Sequence, residues 1–258
     1  MNYTLSEQMV VVAARLLQDG DAVYTGVGLP TVAAFLAKLT HAPNLTIIFE
    51  TGIIRTDPCL LPQGVDTLPS QTLADKLSDA FYINTLAERG LVNLGFVGAG
   101  QLDRHGNINS TCVGDYRQPR FRFPGGGGAC DIASLCQNWV AILRQKKIRF
   151  PERVDFVTGP GYLDGSPGAR ERAGLPPGTG PKKVITDLGV FGFVDGELTL
   201  ETIHARAGVR LETVRENVAW PLRELPSVGE TLEPTGNEID LLRNRIGYRS
   251  GSVTESGG

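Results

Sequence analysis

Apolar positions near the N-terminus recur at helical spacing. Met9, Val10, Val11, Ala13, Leu16 and Leu17 follow Thr4 and Glu7, whose separation is that of a capping box, and predict an amphipathic helix ending near Gly20. The pattern then shifts to short runs: Ala22 to Thr25 reads as a buried strand, Gly26-Val-Gly-Leu-Pro30 as a tight turn, Thr31 to Leu39 as a helix, and Leu45 to Phe49 as a second strand running directly into Glu50, Thr51 and Gly52. Strand, turn, helix and strand in succession make a βαβ unit. The alternation continues with a helix near Asp79 to Glu88, a strand Leu91 to Val97, a helix from Ala129 to about Asn138 and a strand Val140 to Leu143. Further strands are predicted at Asp155 to Val157, Lys183 to Thr186, Phe191 to Val194 and Leu198 to Ile203. Near-continuous apolar strands between helices predict an α/β fold, an open and mostly parallel sheet with helices on both faces, where a ligand sits beyond the carboxyl ends of the strands. Seven glycines and five prolines crowd Gly159 to Pro181, which reads as an ordered loop excursion, and Asn237 to Arg245 as a final helix. One domain over residues 1–249 is expected, with 250–258 as a frayed tail.

Composition narrows the function classes. The 258 residues are 41% hydrophobic and 21% charged, and no apolar run approaches the ~18 to 20 residues of a membrane span. A balance of 25 basic against 28 acidic residues provides no broad positive field, so neither membrane nor nucleic acid is expected as a partner. Cys59, Cys112, Cys130 and Cys136 form no Cys-x-x-Cys pair and lie far from His41, His105 and His204, so no metal site is expected and the cysteines read as reduced thiols. The N-terminal residues lack a secretory pattern, and a cytoplasmic location is expected. Glycine, 32 of 258 residues, is in excess over the usual share, and where it clusters is informative.

Glu50 ends an apolar strand and precedes Gly52, which projects a carboxylate from a strand terminus where it is free to act as nucleophile or base. A charged residue also commonly marks the point where a strand leaves the core. Gly125-Gly126-Gly127-Gly128-Ala129 precedes a helix and leaves backbone N–H groups able to face an anion, as in an oxyanion hole, although such a run also serves as a flexible loop. It is not a Walker loop, and Gly26-Val-Gly lacks the third glycine of the dinucleotide fingerprint. Gln101, Asn107 and Asn109 lie in a turn rich in amides that could orient a carboxylate, or could simply be a turn. Arg117, Arg120 and Arg122 form either an anion clamp or a solvated face.

Taken in order, several segments resemble one family, the β subunit of class I coenzyme A transferases of the glutaconate and 3-oxoadipate CoA-transferase group. They are Gly26-Val-Gly-Leu-Pro30, Phe49-Glu-Thr-Gly52, Phe96-Val-Gly-Ala-Gly-Gln-Leu-Asp103, Gly106-Asn-Ile-Asn-Ser-Thr111, Gly114-Asp-Tyr116, Pro124-Gly-Gly-Gly-Gly-Ala129 and Arg170-Glu-Arg-Ala-Gly-Leu-Pro176. The resemblance implies that Glu50 is the catalytic glutamate and that Gly125 to Ala129 form the oxyanion and CoA-binding loop. Thr51 stands where relatives usually carry serine, and a hydroxyl is kept. It further implies a homologous α subunit as partner, with the active site between the two, and ping-pong transfer of CoA between an acyl-CoA and a carboxylic acid through a glutamyl-CoA thioester. No cofactor beyond coenzyme A as substrate is expected. Gly26, Gly28, Thr51, Gly52, Gln101, Asn107 and Asn109 are expected to position the substrate, and Arg55, Arg117 or Arg120 to meet the distal carboxylate of a di- or oxo-carboxylic acid. Some members of the fold are acyl-CoA hydrolases or decarboxylases, which is the alternative reaction. A non-catalytic acyl-CoA sensor is the alternative from another class.

Overall fold

The computed structural model describes residues 2–26, 28–55, 57, 60–62, 64 and 67–249. The first helix, α1 (Leu5–Ala14), starts on the capping box: Glu7 N–H donates to Thr4 Oγ1 at 3.2 Å and Thr4 N–H to the Glu7 carboxylate at 2.7 Å. Arg243 closes on the same carboxylate and ties the two ends of the chain together. Burial alone would raise the Glu7 pKa, but the hydrogen bonds from Arg243 and Thr4 outweigh it and hold the carboxyl below its usual value. The helix stops at Ala14, short of Gly20, because the chain passes through turns before β1.

The βαβ unit forms as β1 (Ala22–Thr25), α2 (Leu29–Thr40) and β2 (Thr46–Phe49), with β1 and β2 parallel and Thr25 opposite Phe49. The sheet is completed by β3 (Ile53–Arg55), β4 (Lys76–Leu77), β5 (Leu94–Val97), β6 (Asn138–Ile142), β7 (Gly180–Ile185), β8 (Gly189–Val194), β9 (Glu197–Ile203) and β10 (Arg223–Glu230). The spatial order is β10-β9-β8-β7-β6-β5-β1-β2-β3-β4. The five central strands, β7 to β2, are parallel, whereas β3 and β4 on one flank and β8 and β9 on the other run antiparallel to their inner neighbours. The sheet is thus mixed with a parallel centre. After β2 the chain builds outward through β3 and β4, then returns to place β5 on the other side of β1. That reversal opens a crevice at the carboxyl ends of β1 and β5.

Helices cover both faces. On one, α1, α2 and the C-terminal helical residues Ile239 and Leu242 bury Val10, Val32, Phe35 and Phe49. On the other, α3 (Ala80–Glu88) and α4 (Ala129–Leu135) pack Ile83, Ala87, Ile132 and Ala133 with Trp139, Phe150 and Trp220. The final helix runs Gly236–Asp240 and continues as a π-helical turn.

One expected strand and several element bounds are revised. Asp155 to Val157 form no strand, with bends at residues 155 and 156, since β7 occupies the place beside β6 and the following residues bond to Ile108 instead. The fifth strand begins at Leu94, with residues 91–93 outside it, and α4 ends at Leu135. The glycine- and proline-rich excursion is ordered and contains a helical turn, Ala169–Arg172. Cys112 and Cys136 are buried, Cys130 is exposed and all three thiols are free; burial pushes Cys136 up to about 12. Cys59 and the 250–258 tail lie outside the described residues. No helix among the described residues is long and apolar enough to cross a membrane.

Candidate active site

Glu50 occupies the first corner of the turn that reverses β2 into β3. Gly52 N–H donates to Phe49 O at 3.0 Å, closing the turn, and Gly52 has φ +103, where a side chain is strained. A Cβ there would lie 2.5 Å from the backbone of Ser78 and Asp79, and Ser78 donates both its N–H and its hydroxyl to Gly52 O at 2.9 Å. The Glu-Thr-Gly spacing therefore has a local reason: glycine lets the turn press against Ser78, and the glutamate is left at the carboxyl end of β2. Thr51 is half-buried between them.

The parallel register sets Gly26, the residue after β1, next to Glu50. Gly26 O accepts from Thr31 Oγ1 at 2.7 Å, which fastens the turn to the start of α2, and Gly28 caps that helix with φ +110. Gly26 lines the crevice; Gly28 is buried at the helix start, away from its lining.

The tetraglycine run meets the carboxylate directly. Gly128 N–H donates to Glu50 Oε2 at 2.5 Å across 78 residues of sequence. A Cβ at Gly127 would lie 3.1 Å and 3.4 Å from the two carboxylate oxygens, and one at Gly128 only 2.7 Å from Oε2. Glycine is required because the carboxylate lies on the bare backbone. Gly125 and Gly127 take φ +127 and +48, so the run also needs left-handed conformations. Ala129 contributes differently from the expectation: its N–H closes a turn on Gly126 O at 2.9 Å, and it faces the cavity as a wall residue.

Glu50 and the glycine run border a cavity of about 670 Å³ whose other walls are apolar or glycine, among them Phe96, Val97, Gly100, Phe123 and Ile132, with Ser110 as a further polar side chain. The Phe123 ring packs on the bare Gly100 backbone, where any Cβ would collide with it. Behind the carboxylate stands Tyr24, which donates to Asn84 Oδ1 at 3.3 Å. Burial, reinforced by the Glu50 charge, raises its pKa well above the ordinary phenol value, so it stays neutral. Tyr24 carries no sequence signal that separates it from a core strand aromatic. Ser110 belongs to a segment the sequence does single out, but its exposure to the cavity appears only in the fold.

Four expected substrate-positioning residues turn out to hold protein. Arg55 is fully buried: its guanidinium donates to Asp57 O and Pro69 O and lies 5.4 Å from the Phe35 ring centre, so it faces the core and not a substrate carboxylate. Asn109 is buried and donates to Gln101 Oε1 and Cys112 O, both at 2.6 Å. Gln101 donates in turn to Asp155 at 3.1 Å. Asn107 donates to Asp103 and Leu163 O and accepts from Gly161 and Leu163 N–H. These amides knit the loop after β5 to residues 155–163, so their hydrogen bonds go mainly to protein. Arg117 and Arg120 lie exposed on the hairpin formed by Cys112–Val113 and Phe121–Arg122, outside the cavity lining.

Comparison with known proteins shows the family and the fold. Residues 6–217 match the family model described as coenzyme A transferase. The chain is 37% identical over 242 residues to a 3-oxoadipate CoA-transferase subunit of Pseudomonas knackmussii, covering 93% of this chain and 92% of that protein. It is similar to the crystal structure of glutaconate coenzyme A-transferase from Acidaminococcus fermentans, with a TM-score of 0.88, 33% identity and 95% of each chain covered. A decarboxylase, AibA/AibB, is similar at a TM-score of 0.81 and 25% identity, covering 97% of this chain and 98% of that one.

Proposed function

Because the chain belongs to the coenzyme A transferase family, we propose that it is the subunit carrying the nucleophile of a class I enzyme, active together with a homologous α subunit, that moves CoA between an acyl-CoA and a carboxylic acid. The observation that carries this reading is the Glu50 carboxylate at the cavity edge with one oxygen held by Gly128 N–H. Oε2 is engaged and Oε1 accepts no hydrogen bond from the described residues, which leaves Oε1 to attack the thioester carbonyl. The C–S bond breaks, the CoA thiolate leaves, and an acyl-glutamyl anhydride forms. The thiolate then attacks the Glu50 carboxyl carbon, the acyl group departs as a carboxylate, and a glutamyl-CoA thioester remains. An incoming carboxylate reverses the sequence. No electrons are lost and no cofactor beyond CoA is called for.

The placement of the Gly128 donor is informative. When sulfur attacks the glutamyl carbon, Oε2 becomes the oxyanion, so the N–H already on it is preorganised for the charge that develops there. Losing such a donor costs about 2.7–4 kcal/mol of transition-state stabilisation. Both covalent intermediates are open to hydrolysis, so water has to be kept out. The surface beside the Glu50 turn supports a partner that does this: Leu77 and Phe81, exposed at 60% and 82%, flank in sequence the Ser78–Asp79 backbone on which Gly52 rests, and Leu68 and Leu73 are exposed earlier in the same stretch of chain. An exposed apolar cluster of this kind marks a protein contact, and we assign it to the α subunit. For substrate, the relatives named for 3-oxoadipate and glutaconate suggest a di- or oxo-carboxylic acid. The apolar wall of Phe96, Val97, Phe123 and Ile132 suits an uncharged stretch of it, and the cation for a distal carboxylate is assigned to the partner.

The test is Glu50→Gln in the co-purified pair, with borohydride or hydroxylamine trapping after incubation with acyl-CoA. Loss of transfer and a tagged Glu50 peptide in the wild-type pair are expected. Full transfer by the variant refutes the nucleophilic role, and consumption of acyl-CoA by the wild-type pair without an acceptor assigns the chain to the hydrolase branch instead.

A further inference from the structure

One buried charged group has no part in the chemistry above. Arg170 lies on the helical turn Ala169–Arg172 inside the glycine- and proline-rich excursion and is 3% exposed. Among the described residues no carboxylate pairs with it. Its Nη donors go to neutral oxygens, with Nε left without a hydrogen-bond partner among the described residues: Nη1 donates to Pro160 O and Gly161 O, each at 2.8 Å, and Nη2 to Ala133 O and Thr179 Oγ1, each at 3.0 Å. Burying a guanidinium without a counter-charge is a poor source of stability. Its rigid planar fork is well suited to fixing several oxygens in one geometry.

The acceptors lie at both supports of the glycine run. Ala133 O belongs to the last turn of α4, the helix capped by Gly128. Pro160 and Gly161 follow Thr158, whose Cγ2 methyl fills the space over Gly126: a Cβ built on Gly126 would lie 2.6 Å from it. That segment has its own anchors, since Thr158 and Gly159 N–H donate to Ile108 O, Gly161 N–H donates to Asn107 Oδ1, and Ser110 N–H donates to Thr158 Oγ1. A Cβ at Gly161 would collide with the backbone of His105 and Asn107, so the segment has no slack toward that side.

We propose that Arg170 is a positioning residue: by clamping the end of α4 to residues 160–161 it sets the position of the Gly126–Gly128 backbone over Glu50, and with it the Gly128 N–H contact to Oε2. The kinetic consequence rests on Glu50 being the nucleophile; the geometric one does not. The full chain, labelled with ¹⁵N-glycine and co-purified with its partner, provides a direct readout in the Gly128 amide resonance, assigned by its loss in Gly128→Ala. Glu50→Gln defines the shift produced when the carboxylate is lost. Arg170→Lys keeps the charge but not the fork, and is expected to move the resonance in the same direction and to lower kcat per folded site about tenfold or more, with KM for acyl-CoA changed less than about threefold. Thr158→Ser keeps the hydroxyl, removes the methyl over Gly126, and is expected to move the same resonance by a smaller amount. A purely structural role would lower the thermal midpoint and leave the resonance and kcat of the folded enzyme unchanged, and that result overturns the proposal. Should Arg170→Lys fail to fold, an unmoved Gly128 resonance in Thr158→Ser overturns it alone. A wild-type pair that transfers no CoA refutes the functional reading, and the amide resonance then decides this inference by itself.

Discussion

Gly128→Ala perturbs the reacting group while sparing the backbone. Gly128 has φ −75 and ψ 5, which alanine adopts without strain, so the fold should tolerate the change to within about 1 kcal/mol. The added Cβ is 2.7 Å from Glu50 Oε2, about 0.7 Å inside ordinary contact, and 3.3 Å from both Glu50 Cβ and Tyr24 Oη, so the carboxylate has little room to slide. Moving it back by that amount stretches the 2.5 Å hydrogen bond past 3 Å and tilts Oε1 away from its line of attack. A lost or misplaced oxyanion donor lowers kcat by about 10² to 10³, and a 1 Å misplacement of a reacting group has an effect of about 10². The expected result in the co-purified pair is a fall in kcat of about a hundredfold, a thermal midpoint within about 4 °C of wild type, and slower accumulation of the borohydride-trapped Glu50 adduct. A variant that folds normally and keeps kcat within threefold of wild type refutes the claim that the Gly128 contact organises the site.

Arg55→Ala is expected to lower the urea midpoint, since the Asp57 and Pro69 carbonyls lose a charged donor worth about 1.5–3 kcal/mol; it should slow mono- and dicarboxylates alike, and selective loss of dicarboxylates would restore a substrate role. Glu7→Gln tests the clamp between the chain ends. Because the folded pKa of Glu7 is depressed, its contribution is present above the usual carboxylate range and is lost as pH falls through the depressed value, so the variant should be less stable at neutral pH and show a shallower acid-side decline. An unaltered stability–pH curve contradicts this. Phe81→Asp should leave the chain folded and abolish assembly with the α subunit in size-exclusion chromatography, while the same change at Leu232, which is 77% exposed elsewhere, should not. Equal assembly of both variants removes the interface assignment.

Much of this protein is legible from local pattern. The capping box at Thr4 and Glu7, the βαβ unit, and the Glu-Thr-Gly corner are written in residues within a few positions of one another, because capping, helical period and turn strain act over that range. The glycine run announces itself by composition. What it touches does not: Glu50 and Gly128 meet only because β5 crosses back to the far side of β1, which places the two strand ends and α4 around one crevice. The same limit explains the misassigned polar residues. Gln101, Asn107, Asn109 and Arg55 have the side chains a binding site uses, and whether an amide or guanidinium is satisfied by a ligand or by protein depends on partners up to 56 residues away, such as Leu163 for Asn107. The chain alone determined the first helix, the βαβ unit, the Glu-Thr-Gly corner and the residue types that carry chemistry; the tertiary packing decided the flanking strands β3, β4 and β10 and which polar groups were already spent on one another, because strand pairing and hydrogen-bond valence are allotted between segments that only the fold brings together.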